Sequence, residues 1–368
     1  MTARWRRVDE ILHFGLENGV YTAAVLLAGT QGEVAYEQAL GRLSAAVDSP
    51  KVTPDAVFDL ASLTKPFATA LALLTLIQDQ RLSLKAELGE VVPTGWLPPD
   101  KRRLSLTSLL AHNAGLPAWR PFYQTLLKAP AAERPGLLER LAAAEPLDHP
   151  PGRTMVYSDL GFIILKAVVE AVAAEDMDAY CRRRLYRPLG LTTVGFNPLK
   201  QPGGDRLTYP ATETGLIPGR RIQGEVHDEN AWAAGGLAGH AGLFGTGREV
   251  FRLAVEIYYA YHDKNSPFFS FDLVRAFLTP PPGSERALGF DLPAVQEASC
   301  GRCFSPRSVG HLGFTGVSCW IDLELGQIVV LLTNRVHLDR DNAMIRSFRP
   351  RLHEATSRAL GFSQIYRT

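Results

Sequence analysis

The chain has 368 residues, 46% hydrophobic and 21% charged, with a formal net charge of +1 at pH 7. That composition carries ample apolar material for a core and excludes an intrinsically disordered chain. The near-zero charge gives no reason to expect nucleic acid or an anionic membrane as a partner, and the length allows two or three domains, consecutive or interleaved.

The N-terminus is basic, but no apolar stretch follows it. Ile11, Leu12, Phe14 and Leu16 are interspersed with His13, Glu17 and Asn18 at helical spacing, so an amphipathic helix is expected over 3–18, ended by Gly19. With no readable signal peptide, a cytoplasmic location is expected. Residues 21–28 and 33–39 read as strands joined by Gly29-Thr30-Gln31-Gly32, a hairpin signal.

A loop containing Pro50 and Pro54 leads to Phe58-Asp59-Leu60-Ala61-Ser62-Leu63-Thr64-Lys65-Pro66-Phe67 and then an apolar run over 68–77. The run has the length of a core helix and is too short to span a bilayer. From 82 to 278 strand-like alternation is scarce. Helical periodicity recurs over 107–112, 133–144, 158–174, 177–184 and 248–261, between Pro/Gly-rich connections at 198–224 and 280–283. Strand patterns return over 317–323 and 327–332 around Glu324-Leu325-Gly326, and a helix over 341–360 closes the chain. This order predicts an α/β + α architecture: a sheet domain from 1–80 plus 280–368, with a mainly helical domain over 81–279.

The four cysteines include one C-x-x-C, Cys300-Gly301-Arg302-Cys303, without a second pair at zinc-ligand spacing, so reduced structural thiols are expected. His353 and His149 read as surface residues, and Tyr261-His262-Asp263 as a solvated helix terminus.

The chemistry concentrates at Ser62 and Lys65. If Ser62 occupies a first helical turn, Lys65 projects from the same face, and Pro66 is tolerated because first-turn amides lack an intrahelical partner. A serine is a poor nucleophile until a base takes its proton, and lysine is a base only when neutral. Burial without a counter-charge favours the neutral form; reaching a pKa near 7 from about 10.4 requires roughly 4–5 kcal/mol. The same pair also suits an N-cap serine beside a solvated lysine, so partner motifs decide.

Two partners stand downstream. Tyr157-Ser158-Asp159 precedes a helix, and its phenol can relay a proton. Gly310-His311-Leu312-Gly313-Phe314-Thr315-Gly316 runs into a strand whose edge can supply a backbone N–H.

With these three motifs in this order, the chain resembles the penicillin-recognising serine hydrolases, which include class C β-lactamases, serine D-alanyl-D-alanine peptidases and related esterases. Their motifs S-x-x-K, Y-x-N and K-T-G or H-x-G match Ser62–Lys65, Tyr157–Asp159 and His311–Gly313. The segments 109–117 and 242–249 also resemble that family, and the likeness spans 24–335. It implies a β-lactamase-like fold, an antiparallel sheet flanked by helices with an inserted all-helical domain, and an active site between the two.

By resemblance, Ser62 is the acylated nucleophile, and Lys65 and Tyr157 share the base and acid roles. The N–H groups of Ser62 and Phe314 form the oxyanion hole, Asp159 and His311 face the substrate's amide or carboxylate, and Trp119 and His240 line the cleft. Asp159 replaces the usual Asn and removes two donors. His311 replaces the lysine of β-lactamases and loses a fixed cation near pH 7. Residues 224–246 resemble a subgroup associated with peptidoglycan-fragment turnover. His227-Asp228-Glu229 with His240 also suggests a metal cluster, but the reading taken is metal-independent and cofactor-free.

The function expected is a serine hydrolase forming an acyl-enzyme on an amide or ester, with a muropeptide or D-alanyl peptide as substrate. A class C-like β-lactamase, a carboxylesterase and a non-catalytic penicillin- or peptide-binding relative are the alternatives. The expected partner is a small-molecule or peptide-like substrate, with no nucleic acid and no membrane span.

Overall fold

A computed structural model describes residues 3–93, 95–201, 204–213, 221–263 and 266–366. Parts of the connection expected over 198–224, namely 202–203 and 214–220, lie outside the described residues.

Helix α1 (Arg6–Glu17) leads into strands β1 (Ala23–Thr30) and β2 (Glu33–Gly41). Gln31 and Gly32, both at positive φ, make the tight turn between them. Strands β3 (Phe58–Asp59), β4 (Gly195–Phe196) and β5 (Leu243–Gly245) form a small separate sheet in the order β3-β5-β4. Strands β6 (Arg286–Ala287), β7 (Phe290–Asp291), β8 (Ser308–Leu312), β9 (Ser318–Asp322) and β10 (Gln327–Thr333) complete the main sheet. Its order is β2-β1-β10-β9-β8-β7-β6, and its pairings are antiparallel.

The two chain ends meet because β1 pairs β10, with Leu27 opposite Val330 and Val25 opposite Leu332. Both strands are covered on two faces, so they read as continuous apolar runs despite their period-2 geometry. Ala24, Leu26, Val329 and Leu331 face a core shared with α1 and the C-terminal helix, while Val25, Leu27, Val330 and Leu332 face the larger core.

The larger core is organised by α2 (Leu71–Gln78), which continues a 3-10 turn (Ala61–Leu63) and a π-helical turn (Lys65–Ala70). Pro66 fits near the start of that π turn, where its missing N–H is least felt. The continuous run Ala61–Gln78 reaches 18 residues, longer than the expected helix, and has the apolarity of a membrane span, but 83% of it is buried inside the protein. It packs against α3 (Asp159–Ala173) and the helix Phe271–Leu278.

Helix α4 (Gly247–Tyr261) departs from the expected division at residue 279: it lies on the sheet, against β1, β9 and β10. The closing helix α5 (Ile345–Leu360) begins four residues later than 341. His353, expected at the surface, is fully buried on α5 beside Phe304, because α5 covers the sheet with the face that carries it.

Leu73 is completely buried in α2, so Leu73→Ala is expected to lower the unfolding free energy by about 2–5 kcal/mol in denaturant titration. Acid stability provides a second check. Burial, with Arg349 nearby, pushes His353 down to about 3. Its stabilising contribution is therefore present above the unfolded-state pKa of about 6.5 and lost as pH falls towards 3. The urea midpoint should drop over that range, and His353→Gln should flatten part of the slope.

Candidate active site

The nucleophile turn is built on β3. The Leu60 N–H donates to Leu243 O (2.9 Å), and Ala61 takes a left-handed φ of 47°, which turns the chain so that Ser62 reaches a cleft. Thr64 fixes the turn from behind, donating to Ala61 O (2.6 Å) and accepting from the Leu243 N–H (3.0 Å).

Lys65 is fully buried; its Nζ donates to Ser62 Oγ at 3.0 Å and to His240 O at 3.2 Å, and forms an ion pair with Asp159 Oδ1 at 2.7 Å. The ring of Tyr157 lies 4.9 Å from the same Nζ. Burial alone pushes the lysine towards neutrality, but Asp159 and then Tyr157 push back harder, and the net shift is upward. The expected route to a neutral amine, burial without a counter-charge, is not what the fold provides: Asp159 stands beside the lysine, and the net shift favours the ammonium. Asp159 is also corrected in part, since it lines the cleft but turns an oxygen to Lys65.

Tyr157 is positioned by a turn more than forty residues upstream. His112, itself at φ 58°, accepts from the Ser158 N–H through Nδ1 (3.0 Å) and from the Val156 N–H through its carbonyl (2.9 Å). Its ring lies 4.6 Å from that of Tyr157. Ser158 donates to Pro117 O (2.6 Å) and caps α3. Burial, reinforced by Arg286 and Lys65, holds His112 well below the usual histidine range, as its acceptor role requires.

On the opposite wall, His311 is buried and donates from Nδ1 to Leu312 O (2.8 Å). Burial, then the charges of Lys65 and Arg286, push it well below the usual histidine range, so it supplies no cation at neutral pH. Arg286 takes that place: its guanidinium lies 4.9 Å from the Tyr157 ring and pairs with Asp291. Gly313 is required by space, because a Cβ there would sit 2.4 Å from Val317 Cγ2 and 2.9 Å from Leu60 O. Phe314 is partly exposed between the parallel ring of His227 (5.5 Å) and the guanidiniums of Arg335 and Arg340 (4.7 and 5.2 Å).

All of the expected site residues except the fully buried Lys65 line one cleft of about 740 Å³. These are Ser62, Tyr157, Asp159 and Trp119, with His240, His311, Gly313 and Phe314. His240 Nε2 meets Asp228 Oδ1 at 2.9 Å, and Asp228 is held below the usual carboxylate range by His240 despite the opposing effect of burial. Asp159, Asp228 and His240 offer three ligand atoms within 4.8 Å of one another, but the Lys65 ammonium already faces this group. Residues that the sequence reading missed are Arg286, Arg335 and Arg349, for which no motif gives a signal, and the role of His112, whose turn was visible only as a family likeness.

The family model described as Beta-lactamase matches residues 8–349. A protein of Escherichia coli (strain K12) named as a D-alanyl-D-alanine carboxypeptidase is 30% identical over 348 residues, 86% of this chain and 79% of that protein. The N-acetylmuramyl-L-alanine amidase of Bacillus subtilis (strain 168) is 30% identical over 364 residues, 91% of this chain and 82% of its own. The octameric penicillin-binding protein homologue from Pyrococcus abyssi shares the fold at a TM-score of 0.73 and 16% identity, over 97% of this chain and 77% of that one. With the match running from α1 into α5 across every motif of the cleft, the chain belongs to the beta-lactamase family and is a serine hydrolase.

Proposed function

We propose that Ser62 attacks an amide carbonyl of a peptidoglycan fragment and that the chain releases its product through an acyl-enzyme. The observation that carries this is the Ser62–Lys65 contact of 3.0 Å at the base of a cleft large enough for a peptide-like substrate. The carboxypeptidase and amidase relatives support the substrate class. So do Arg335 and Arg349, which donate to backbone carbonyls and bring positive charge to the far flank of the cleft, where a peptide carboxylate can pair with it.

In this reading the Lys65 ammonium donates to Ser62 Oγ, so the serine's own proton points away from it. Tyr157, whose ring lies beside Lys65 and Arg286, serves as the general base that takes that proton as the Ser62 Oγ–C bond forms. The N–H groups of Ser62 and Phe314 stabilise the tetrahedral oxyanion. Collapse breaks the C–N bond, and Tyr157 returns the proton to the leaving amine. Water then repeats the sequence on the acyl-enzyme.

Intact-protein mass spectrometry after incubation with a muropeptide, a D-alanyl-D-alanine peptide, an ester and a β-lactam tests the substrate class. An adduct or turnover is expected first with the peptidoglycan fragments; turnover of the β-lactam or ester alone would overturn the assignment. Fluorophosphonate labelling should disappear in Ser62→Ala, which loses at least about 10³-fold in kcat, while Tyr157→Phe should lose about 10²–10⁴-fold. Metal independence belongs to the same proposal, and activity is expected to survive EDTA.

The pH profile tests the role of the ion pair. Because Asp159 raises Lys65, the ammonium persists through neutral pH and is lost only above the usual lysine range. In Asp159→Asn burial is left unopposed by the carboxylate, so the alkaline limb of kcat/KM should move to lower pH. An unmoved limb would show that the ammonium is not required.

A further inference from the structure

Three segments that build the cleft converge on one buried residue, Asp59, at the end of β3. Its Oδ1 accepts from the Ala61 N–H at 2.8 Å, and its Oδ2 accepts from the His227 N–H at 2.7 Å. Its backbone carbonyl accepts from Thr315 Oγ1 at 3.0 Å. Ala61 immediately precedes Ser62, Thr315 immediately follows Phe314, and His227 lays its ring parallel to that of Phe314. Asp59 therefore reaches the nucleophile side once and the Phe314 side twice.

The local conformation needs this anchor. Ala61 sits at φ 47°, a region that costs a non-glycine residue energy and persists only where its surroundings hold it. The carboxylate supplies that hold through the Ala61 N–H. Burial pushes the Asp59 carboxyl up, and the two N–H donors oppose the shift. Neither Asp59 nor Thr315 lines the cleft, so a contribution from either acts through its neighbours.

We propose that Asp59 is a positioning residue that sets the separation of the two oxyanion-hole N–H groups, tying the Ser62 turn and the Phe314 turn to one rigid point. This rests on the serine-hydrolase reading of Ser62 and deepens it. A displacement of a reacting group by about 1 Å can cost roughly 10²-fold in rate without loss of binding, and that is the effect a loosened anchor produces.

The test uses the full chain and p-nitrophenyl acetate, with fluorophosphonate titration counting active sites. Asp59→Asn keeps the shape but sets an NH₂ against one of the two N–H donors. It should lower kcat per titrated site by about 100-fold, with KM within about threefold, since the substrate contacts themselves are untouched. Thr315→Val removes only the third hydrogen bond and should lower kcat about tenfold. The double variant should lose less than the product of the two, because both act through one anchor. Should Asp59→Asn fail to fold, Thr315→Val carries the test alone. Wild-type kcat per titrated site in either folded variant overturns the proposal, as does a raised KM at unchanged kcat. A wild type that neither labels nor turns over the ester removes the serine-hydrolase reading and this one with it, whereas normal wild-type turnover with unaffected variants removes only this one.

Discussion

The site depends on a buried charge with nowhere else to go. Lys65 has no exposure to solvent, and an isolated ammonium in such a place loses its proton or unfolds its surroundings. Asp159 at 2.7 Å prevents both. The pair joins a fully buried lysine to a carboxylate that lines the cleft, and so favours the charged lysine beside the nucleophile. Tyr157 and Ser62 are then read relative to a permanent cation, and the proton taken from the serine must go elsewhere.

That cation also rationalises the neutral histidines around the phenol. His112 and His311 are each buried near Lys65 and Arg286, and the two cations together disfavour a third and a fourth. His112 is free to accept a backbone N–H as a result, and this holds the Tyr157 segment in place. The substitution of His311 for the lysine seen in β-lactamases is thus accompanied by Arg286, which comes from a strand two places further along the sheet.

Much of this was legible in the sequence where one physical signal dominated. β1 and β10 are apolar runs long enough to read, and the hairpin turn at Gln31–Gly32 announces itself by composition. Ser62, Lys65 and Tyr157 stood out by motif, and the structure brings them together as expected. The two-residue strands β3, β4, β6 and β7 are too short for periodicity to register. The change from a 3-10 to a π turn around Pro66 leaves no pattern in composition either. The neutral-lysine expectation failed because the counter-charge lies 94 positions away in sequence, at a residue already assigned to substrate contact. Asp59 and Arg286 were invisible because the contacts that tie them to the site, with His227 and Thr315 for the first and Tyr157 for the second, are distant in sequence. His353 was misplaced because a polar residue on a helix reads as solvated until the sheet beneath that helix is known.

The most direct test of the central claim is the protonation state of Lys65 itself, read by proton–nitrogen NMR of the full chain labelled with side-chain nitrogen-15 lysine and assigned with Lys65→Arg. An ammonium resonance is expected for Lys65 at neutral pH, persisting into the alkaline range because Asp159 raises the lysine. A Lys65 nitrogen with the shift of a neutral amine at pH 7 would contradict the claim.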